Sequence, residues 1–116
     1  MPPKVATVQL PAEGSAALIS QRILGDTVQV VSAFQNVSAE ILQGEKPVNC
    51  DVLVCGNRKD SRSKVIELIN SIGMRGWHAG QLVNSVASEA LTSVLISINK
   101  HHSVSHSGIQ ITGTED

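Results

Sequence analysis

Apolar and polar positions along the chain follow a helical period in some stretches and a strand-like pattern in others. Residues 16–24 place their apolar positions at helical spacing, with Ser15 in front as the expected N-cap and Gly25 behind as the stop. The Val-rich run 28–34 predicts a strand. A short helix is expected over 37–42. The flanking stretches 1–14 and 44–49 predict an extended lead-in, with a short strand over 5–10, and a loop.

The centre of the chain predicts a strand, a turn and a helix in succession. Residues 50–55 contain a run that is apolar on both faces, which suits a central strand covered on both sides. A helix is expected over 61–72, with Asp60 or Ser61 as its N-cap. Four positions at the helical repeat form its expected buried stripe: Val65, Leu68, Ile69 and Ile72. A short strand over 74–78 follows.

The longest expected element is a helix over 81–100. Its apolar positions form one broad arc: Val83, Val86, Ala87, Ala90, Leu91, Val94, Leu95 and Ile98, widened by Leu82 and Ile96. Such a helix should be buried on more than one side, and the rest of the chain is too small to cover it. We therefore expect a homodimer interface through this helix. In the polar tail after it, Ile109 and Ile111 alternate as in a short edge strand.

Composition limits the classes of function. The chain has 116 residues, which predicts one domain, and 41% hydrophobic residues, which allows a core. Its net charge of −1 gives no general attraction to nucleic acid or anionic lipid. No apolar run approaches the ~20 residues of a membrane helix. Residues 1–4 lack the apolar region of a secretory signal, so we expect a cytoplasmic protein without membrane or nucleic-acid partners.

The residues with catalytic chemistry do not form a recognisable constellation. Cys50 and Cys55 flank one short strand, so they are interpreted as ordinary buried thiols rather than as a disulfide or metal site. Three histidines cluster after the long helix: His101, His102 and His106. A polar helix end is the favoured interpretation for them, and His78 is interpreted as a half-buried, satisfied group. We predict no catalytic residue and no metal site.

Nucleotide binding has one weak candidate in this sequence. Arg58-Lys59, in the turn after the central strand, could hold a phosphate or could be the solvated start of a helix. Neither a Gly-x-Gly-x-x-Gly motif nor a phosphate-binding Gly-x-x-x-x-Gly-Lys motif occurs. The strand–turn–helix order is that of a nucleotide-handling α/β fold, but the part that would hold a nucleotide is missing.

Five blocks of sequence, in their order and spacing, resemble the C-terminal half of the NADPH-dependent reductases of coenzyme F420, a deazaflavin. The blocks are Val30–Glu40, Asp51–Gly56, Ile72–Gly80, Asn84–Thr92 and Gly108–Gly113. The resemblance covers about residues 2–113. It implies an N-terminal dinucleotide-binding half that has no counterpart here, so that Met1 looks like an internal start or an artificial boundary.

The resemblance also implies the site residues. The segment that lines the deazaflavin pocket in relatives matches Phe34, Gln35, Asn36, Val37 and Ser38, and the part that closes over the ring matches Ser107, Gly108 and Ile109. Some relatives carry His in place of Gln35 and Pro in place of Ser38. The Arg58-Lys59 turn is usually acidic in relatives, which argues against a phosphate site there. In this family the protein aligns two cofactors and needs no nucleophile of its own.

These observations combine into one expectation. The fold is α/β, the distal part of a Rossmann-like sheet over 1–80 followed by a mainly helical dimerisation and pocket-closing segment over 81–116. We expect the chain to be the deazaflavin-side portion of an oxidoreductase that transfers a hydride between NADP(H) and F420. We expect it to be inactive alone and to have NADP bound only if a separate polypeptide supplies the other half. The alternatives are a non-catalytic homodimerising module and a relative of the cytosolic domain of membrane-bound metalloreductases.

Overall fold

The computed structural model describes residues 8, 10–12, 14–37 and 50–113. The elements along the chain are α1 (Ala16–Leu24), β1 (Val31–Ser32), β2 (Asp51–Gly56), α2 (Lys59–Ser71), β3 (Arg75–His78), a 3₁₀ turn (Leu82–Asn84) and α3 (Ser85–His102). The expected loop over 44–49 and nearly all of the expected strand over 5–10 and helix over 37–42 lie outside the described residues, as does Ser38.

The described strands form one mixed sheet in the order β1-β2-β3. β1 pairs with β2 in the antiparallel direction, and β2 pairs with β3 in the parallel direction through α2. The central position expected for residues 50–55 is therefore confirmed. The α/β class is also confirmed, whereas the assignment to a Rossmann-like sheet and the division at residue 80 stay predictions.

The strand expected over 28–34 is reduced to Val31–Ser32. The reason is the side chain of Gln21, which takes the hydrogen bonds that a neighbouring strand would otherwise make. Its Nε2 donates to the carbonyl of Val28 at 2.7 Å, and its Oε1 accepts from the backbone N–H of Val30 at 3.0 Å. Residues 28–30 are thus held against α1 and not against the sheet.

Helix α1 begins and ends where the sequence predicts. Ser15 is its N-cap and accepts a hydrogen bond from the backbone N–H of Leu18 at 3.1 Å, and Gly25 follows its last residue with φ of 77°. The start of α1 is also bound to α3. The Glu89 carboxylate accepts from the N–H groups of Ala16 and Ala17 at 2.8 and 3.1 Å, so the free donors of this helix end are occupied.

Helix α2 differs from its prediction at its start and on its buried face. It begins at Lys59 with Arg58 as N-cap, not with Asp60 or Ser61, because Asp60 lies in the first turn and binds Arg58 and its own neighbour. Of the expected stripe only Ile69 is fully buried, and Leu68 and Ile72 remain 69% and 59% exposed.

The buried face of α2 is set by how closely the helix approaches β3. A Cβ built on Gly76 would lie 3.2 Å from Ile66 and 3.3 Å from Ile69. These two isoleucines therefore face the sheet, and Ile66 replaces Leu68 in the row that packs on it. The main hydrophobic core lies between α2 and the sheet and consists of Cys50, Val52, Val54, Ile69 and Met74.

Helix α3 extends two residues beyond the expected end, and most of its apolar arc is not buried. Its buried residues are Ser85, Ser88 and Leu95. The segment Leu82–His102 is, by length and composition, long and apolar enough to cross a membrane. The sequence-based expectation that no such stretch exists does not hold for this helix. The finding is weak evidence, because the core helix of a soluble protein passes the same test.

The tail after α3 runs along the start of β2 without becoming a strand in the described structure. The backbone N–H of Asp51 donates to the carbonyl of Ile109 at 2.7 Å, as in a strand pair. The next bond goes to a side chain instead, because the N–H of Ile111 donates to Oδ2 of Asp51 at 2.7 Å. The expected edge strand at Ile109 and Ile111 is therefore an extended segment.

Candidate functional site

A cavity of about 200 Å³ lies between the loop after β1, helix α3 and the tail. Its wall contains residues from all three: Gln35, Asn36, Val37, Thr92, Leu95, Ile96, Asn99, His106 and Ser107. Four of these belong to the two segments that the sequence identified as pocket residues, namely Gln35, Asn36, Val37 and Ser107. The fold thus brings the two predicted segments to one cavity although they lie far apart in sequence.

Three predicted site residues are placed differently. Phe34, Gly108 and Ile109 flank the lining segments but are not in the wall of the cavity. Phe34 packs against the hydrophobic core beneath the loop. Its φ is 66°, a left-handed conformation that is costly for a bulky residue and that occurs preferentially at functional sites. Ser38 lies outside the described residues.

The loop wall is held on α3 by hydrogen bonds that involve Asn36 and Thr92, whose side chains also contact each other at 3.4 Å. Nδ2 of Asn36 donates to the carbonyl of Ser88 at 2.9 Å in a buried position. The hydroxyl of Thr92 donates to the carbonyl of Gln35 at 2.6 Å. The amide N–H₂ of Asn36 thus fixes the distance between the loop and α3. The loop therefore forms a rigid side of the cavity.

The tail wall is held in place at Ser107 and Gly108. The hydroxyl of Ser107 donates to the carbonyl of Leu95 at 3.2 Å. A Cβ built on Gly108 would lie 2.7 Å from Cβ of Cys50, so a larger residue would push the tail away from the sheet. Gly108 thus allows the tail to lie close to the sheet, although it does not line the cavity.

Asp51 anchors the far end of the same tail. Its Oδ2 accepts from the indole Nε1 of Trp77 at 3.0 Å and from the N–H of Ile111 at 2.7 Å. Arg75 lies beside the carboxylate, with Nε 4.0 Å from Oδ1, and its guanidinium carbon stands 4.8 Å from the centre of the Trp77 ring. The buried carboxylate of Asp51 therefore links the tail to β2 and β3.

Five lining residues were not identified from the sequence: Thr92, Leu95, Ile96, Asn99 and His106. The sequence does contain one signal for this helix wall. Ser88, Thr92 and Asn99 are polar residues spaced four and seven apart in an otherwise apolar helix, so they share one face of α3. His106, which was interpreted as part of a polar helix end, lies in the wall, whereas His101 and His102 end the helix with their ring centres 5.0 Å apart.

The wall contains no acidic side chain and no Lys or Arg among the residues that the structure describes. Val37, Leu95 and Ile96 supply apolar surface. In the part of the chain that the structure describes, Oε1 of Gln35 and Oδ1 of Asn99 are buried and have no hydrogen-bond partner. Such a cavity suits an uncharged, partly apolar ligand that carries hydrogen-bond donors.

The other candidate groups lie elsewhere. Arg58 pairs with Asp60 at 3.3 Å on the surface, and its charge lowers the pKa of that carboxyl. His78 accepts from Nε of Arg62 at 3.2 Å, but it is exposed and not half-buried as expected. Cys50 and Cys55 are buried free thiols, as predicted, and burial raises the pKa of both.

The chain is similar over most of its length to known reductases. No family model matches the chain. The F420-dependent NADP reductase of Methanocaldococcus jannaschii is 40% identical over 114 residues, which cover 97% of this chain and 51% of that protein. The F420-dependent NADP reductases of Methanothermobacter thermautotrophicus and Methanothermobacter marburgensis are 38% and 36% identical over 103 residues, which cover 86% of this chain in each case.

The chain spans about half the length of the curated relatives that it matches. This coverage is consistent with the C-terminal half that the five sequence blocks indicated. The resemblance inferred from the sequence is therefore confirmed: over 86–97% of its length the chain is homologous to one part of the F420-dependent NADP reductases.

Proposed function

We propose that this chain is the deazaflavin-side portion of an oxidoreductase that transfers a hydride between NADP(H) and coenzyme F420. The observation that carries the proposal is the meeting of the loop at Gln35–Val37 and the tail at Ser107 in one cavity. These two segments match the deazaflavin-binding parts of the family, and nothing in their sequence separation requires them to meet.

The cavity fits the ring of a deazaflavin better than the rest of the cofactor. Its volume of about 200 Å³ is below the ~300–1,000 Å³ of sites that enclose a drug-sized ligand. A wall without Lys or Arg would also not attract a phosphate or carboxylate. We infer that Val37, Leu95 and Ile96 contact the ring and that the charged part of the cofactor lies outside this cavity.

In this proposal the residues of the chain bind, orient and exclude water. The deazaflavin would supply the hydride chemistry when bound. The bonds from Asn36 and Thr92 keep the loop at a fixed distance from α3, and the tail covers the end of the cavity near Ser107. Holding the ring in one orientation is the contribution that such a site makes to the rate.

Binding of F420 to the purified chain tests the proposal. We expect saturable changes in the absorbance and fluorescence of F420 on titration, and we expect Ile96→Trp to abolish them because an indole would fill the cavity. Ile98→Trp is the matched control, since Ile98 lies on the same helix but not in the cavity wall. Absence of saturable binding to the wild-type chain would contradict the proposal.

We further propose that the chain alone does not turn over NADPH. Its 116 residues contain no glycine-rich dinucleotide motif, and NADP(H) binding in this fold class relies on such a motif at a helix N-terminus. Oxidation of NADPH in the presence of F420, followed by absorbance, should therefore stay at the uncatalysed level. A turnover near the ~10 s⁻¹ of a typical enzyme would refute this part of the proposal.

A second candidate function, homodimerisation, is supported by one surface. An apolar stripe that runs from the 3₁₀ turn along α3 consists of Val83, Ala87, Leu91, Val94 and Ile98, and Val83 and Val94 are 55% and 43% exposed within the chain. At 3.6 residues per turn this stripe lies about a third of a turn from the cavity face of Thr92 and Asn99. Dimerisation through it would therefore leave the cavity open.

A further inference from the structure

Two amide oxygens in the cavity wall determine what the cavity can bind. Oε1 of Gln35 belongs to the loop side and Oδ1 of Asn99 to the helix side, and in the described structure neither accepts a hydrogen bond although both are buried. Native proteins leave few buried acceptors unpaired, and such groups commonly mark the position of a ligand or an ordered water.

Several other polar groups of the wall are already paired within the chain. The amide N–H₂ of Asn36 donates to the carbonyl of Ser88, the Thr92 hydroxyl donates to the carbonyl of Gln35, and the Ser107 hydroxyl donates to the carbonyl of Leu95. His106 also has an interaction within the chain. The two amide oxygens are thus the acceptors that the fold leaves for a ligand.

Asn99 lies in the last turn of α3, which ends at His102, and its buried side-chain oxygen accepts no hydrogen bond in the described structure. The backbone carbonyl of Asn99 accepts from Val104 N–H at 3.0 Å, so the main chain at this position is fixed. The amide is therefore presented to the cavity from a rigid element.

We propose that Asn99, assisted by Gln35, recognises the edge of a planar neutral heterocycle in which an N–H lies beside a carbonyl. A carboxamide matches such an edge, because its oxygen accepts from the N–H while its N–H₂ group donates to the carbonyl. Resting on the proposed function above, the ligand edge is the imide of the pyrimidinedione ring of a deazaflavin. Asn99 is then a specificity-determining residue, and Leu95 and Ile96 contact the faces of the ring.

The test compares F420 with the same cofactor methylated at the imide nitrogen, which removes the donor. Fluorescence titrations give the dissociation constants for the wild-type chain, for Asn99→Leu and for Ser97→Leu, a control on an exposed position of the same helix. We expect the wild type and Ser97→Leu to bind the methylated cofactor about tenfold more weakly, the weight of one hydrogen bond. Asn99→Leu should bind F420 more weakly and discriminate less between the two cofactors, because only Gln35 then accepts from the imide N–H.

Two results would overturn the inference while leaving the proposed function intact. One is equal binding of both cofactors by the wild type, which would mean that water satisfies the amide oxygens. The other is undiminished discrimination by a folded Asn99→Leu chain. If the wild type binds neither cofactor, the proposed function fails and this inference fails with it. The wild-type comparison needs no variant, so misfolding of Asn99→Leu cannot obscure the result.

Discussion

Individual residues of the site act mainly through their backbone and their hydrogen-bonding groups. Phe34 accepts a left-handed conformation because the next two residues are bound to α3, Gln35 through its carbonyl and Asn36 through its amide. A local strain of this kind persists only where the surrounding structure enforces it. The cavity is thus held in shape by residues outside its wall as well as by those within it.

The buried thiols give a prediction at the same scale. Burial raises the pKa of Cys55 above its ordinary value of 9.0, although a hydrogen bond with Ser88 and the charge of Arg62 oppose the shift. As the pH rises past about 9, the thiol ionises first in the unfolded chain, so the free energy of unfolding falls until the folded pKa is passed.

Melting temperatures measured between pH 7 and 10.5 test this expectation, with the pH values chosen to span the ordinary thiol pKa of about 9. Above that pH, the melting temperature should fall less steeply with pH in Cys55→Ala than in the wild type. Because the two chains differ only at residue 55, the difference between the two curves reports on Cys55. Parallel curves would show that this thiol does not contribute.

The secondary elements show how far sequence reasoning reaches. The positions of α1, β2, β3 and α3 were predictable because caps, glycine stops and apolar runs are local signals. The buried face of α2 was not, since Leu68 and Ile66 both continue a helical stripe with Ile69, and only the close approach at Gly76 decides between them. Likewise, the shortened β1 depends on the side chain of Gln21, seven residues before Val28.

The candidate site was predictable in part for a similar reason. The loop and tail segments were identified by resemblance, and four of their residues line the cavity. The helix wall was missed because Thr92 and Asn99 look like solvated positions when only the apolar arc of α3 is considered. Their role appears once Asn36 and Gln35 are seen to bind the same face.

The link between the tail and the sheet gives a prediction at the scale of elements. Both Trp77 Nε1 and the N–H of Ile111 donate to the same oxygen of Asp51. Asp51→Ala should destabilise the chain by about 1–3 kcal/mol, because it removes two half-buried hydrogen bonds of about 0.5–1.5 kcal/mol each. Asp51→Asn retains an oxygen that can accept from both donors. Its loss of stability should therefore be less than about half of the loss in Asp51→Ala.

Denaturant titrations of the two variants, combined with limited proteolysis of the tail, provide the measurement. We expect cleavage after residue 103 to accelerate in Asp51→Ala and to change little in Asp51→Asn. Similar losses in both variants would indicate that the charge of Asp51 beside Arg75 matters more than its hydrogen bonds.

For the molecule as a whole, the exposed stripe of α3 predicts self-association. Val94 is 43% exposed in the single chain, so Val94→Glu should leave the fold intact and place an unpaired charge in the proposed contact. Light scattering at micromolar concentration should give a dimer for the wild type and a monomer for Val94→Glu. Ser97→Glu, exposed on the same helix but outside the stripe, should remain dimeric. A well-folded wild-type monomer would refute the prediction.

The anchoring of the tail by Asp51 has a consequence for the order in which the chain folds. The β2–α2–β3 unit is formed within residues 51–78, whereas the bond between Ile111 and Asp51 closes a loop of 60 residues. Closing so long a loop costs entropy that a local unit does not lose, so the tail should dock last and open first. The amide of Ile111 should then exchange with deuterium through local opening, while those of Val52 and Val54 exchange through global unfolding. A ligand in the cavity would selectively slow the local opening of the tail. The exchange rate of the Ile111 amide would therefore report whether the tail is docked.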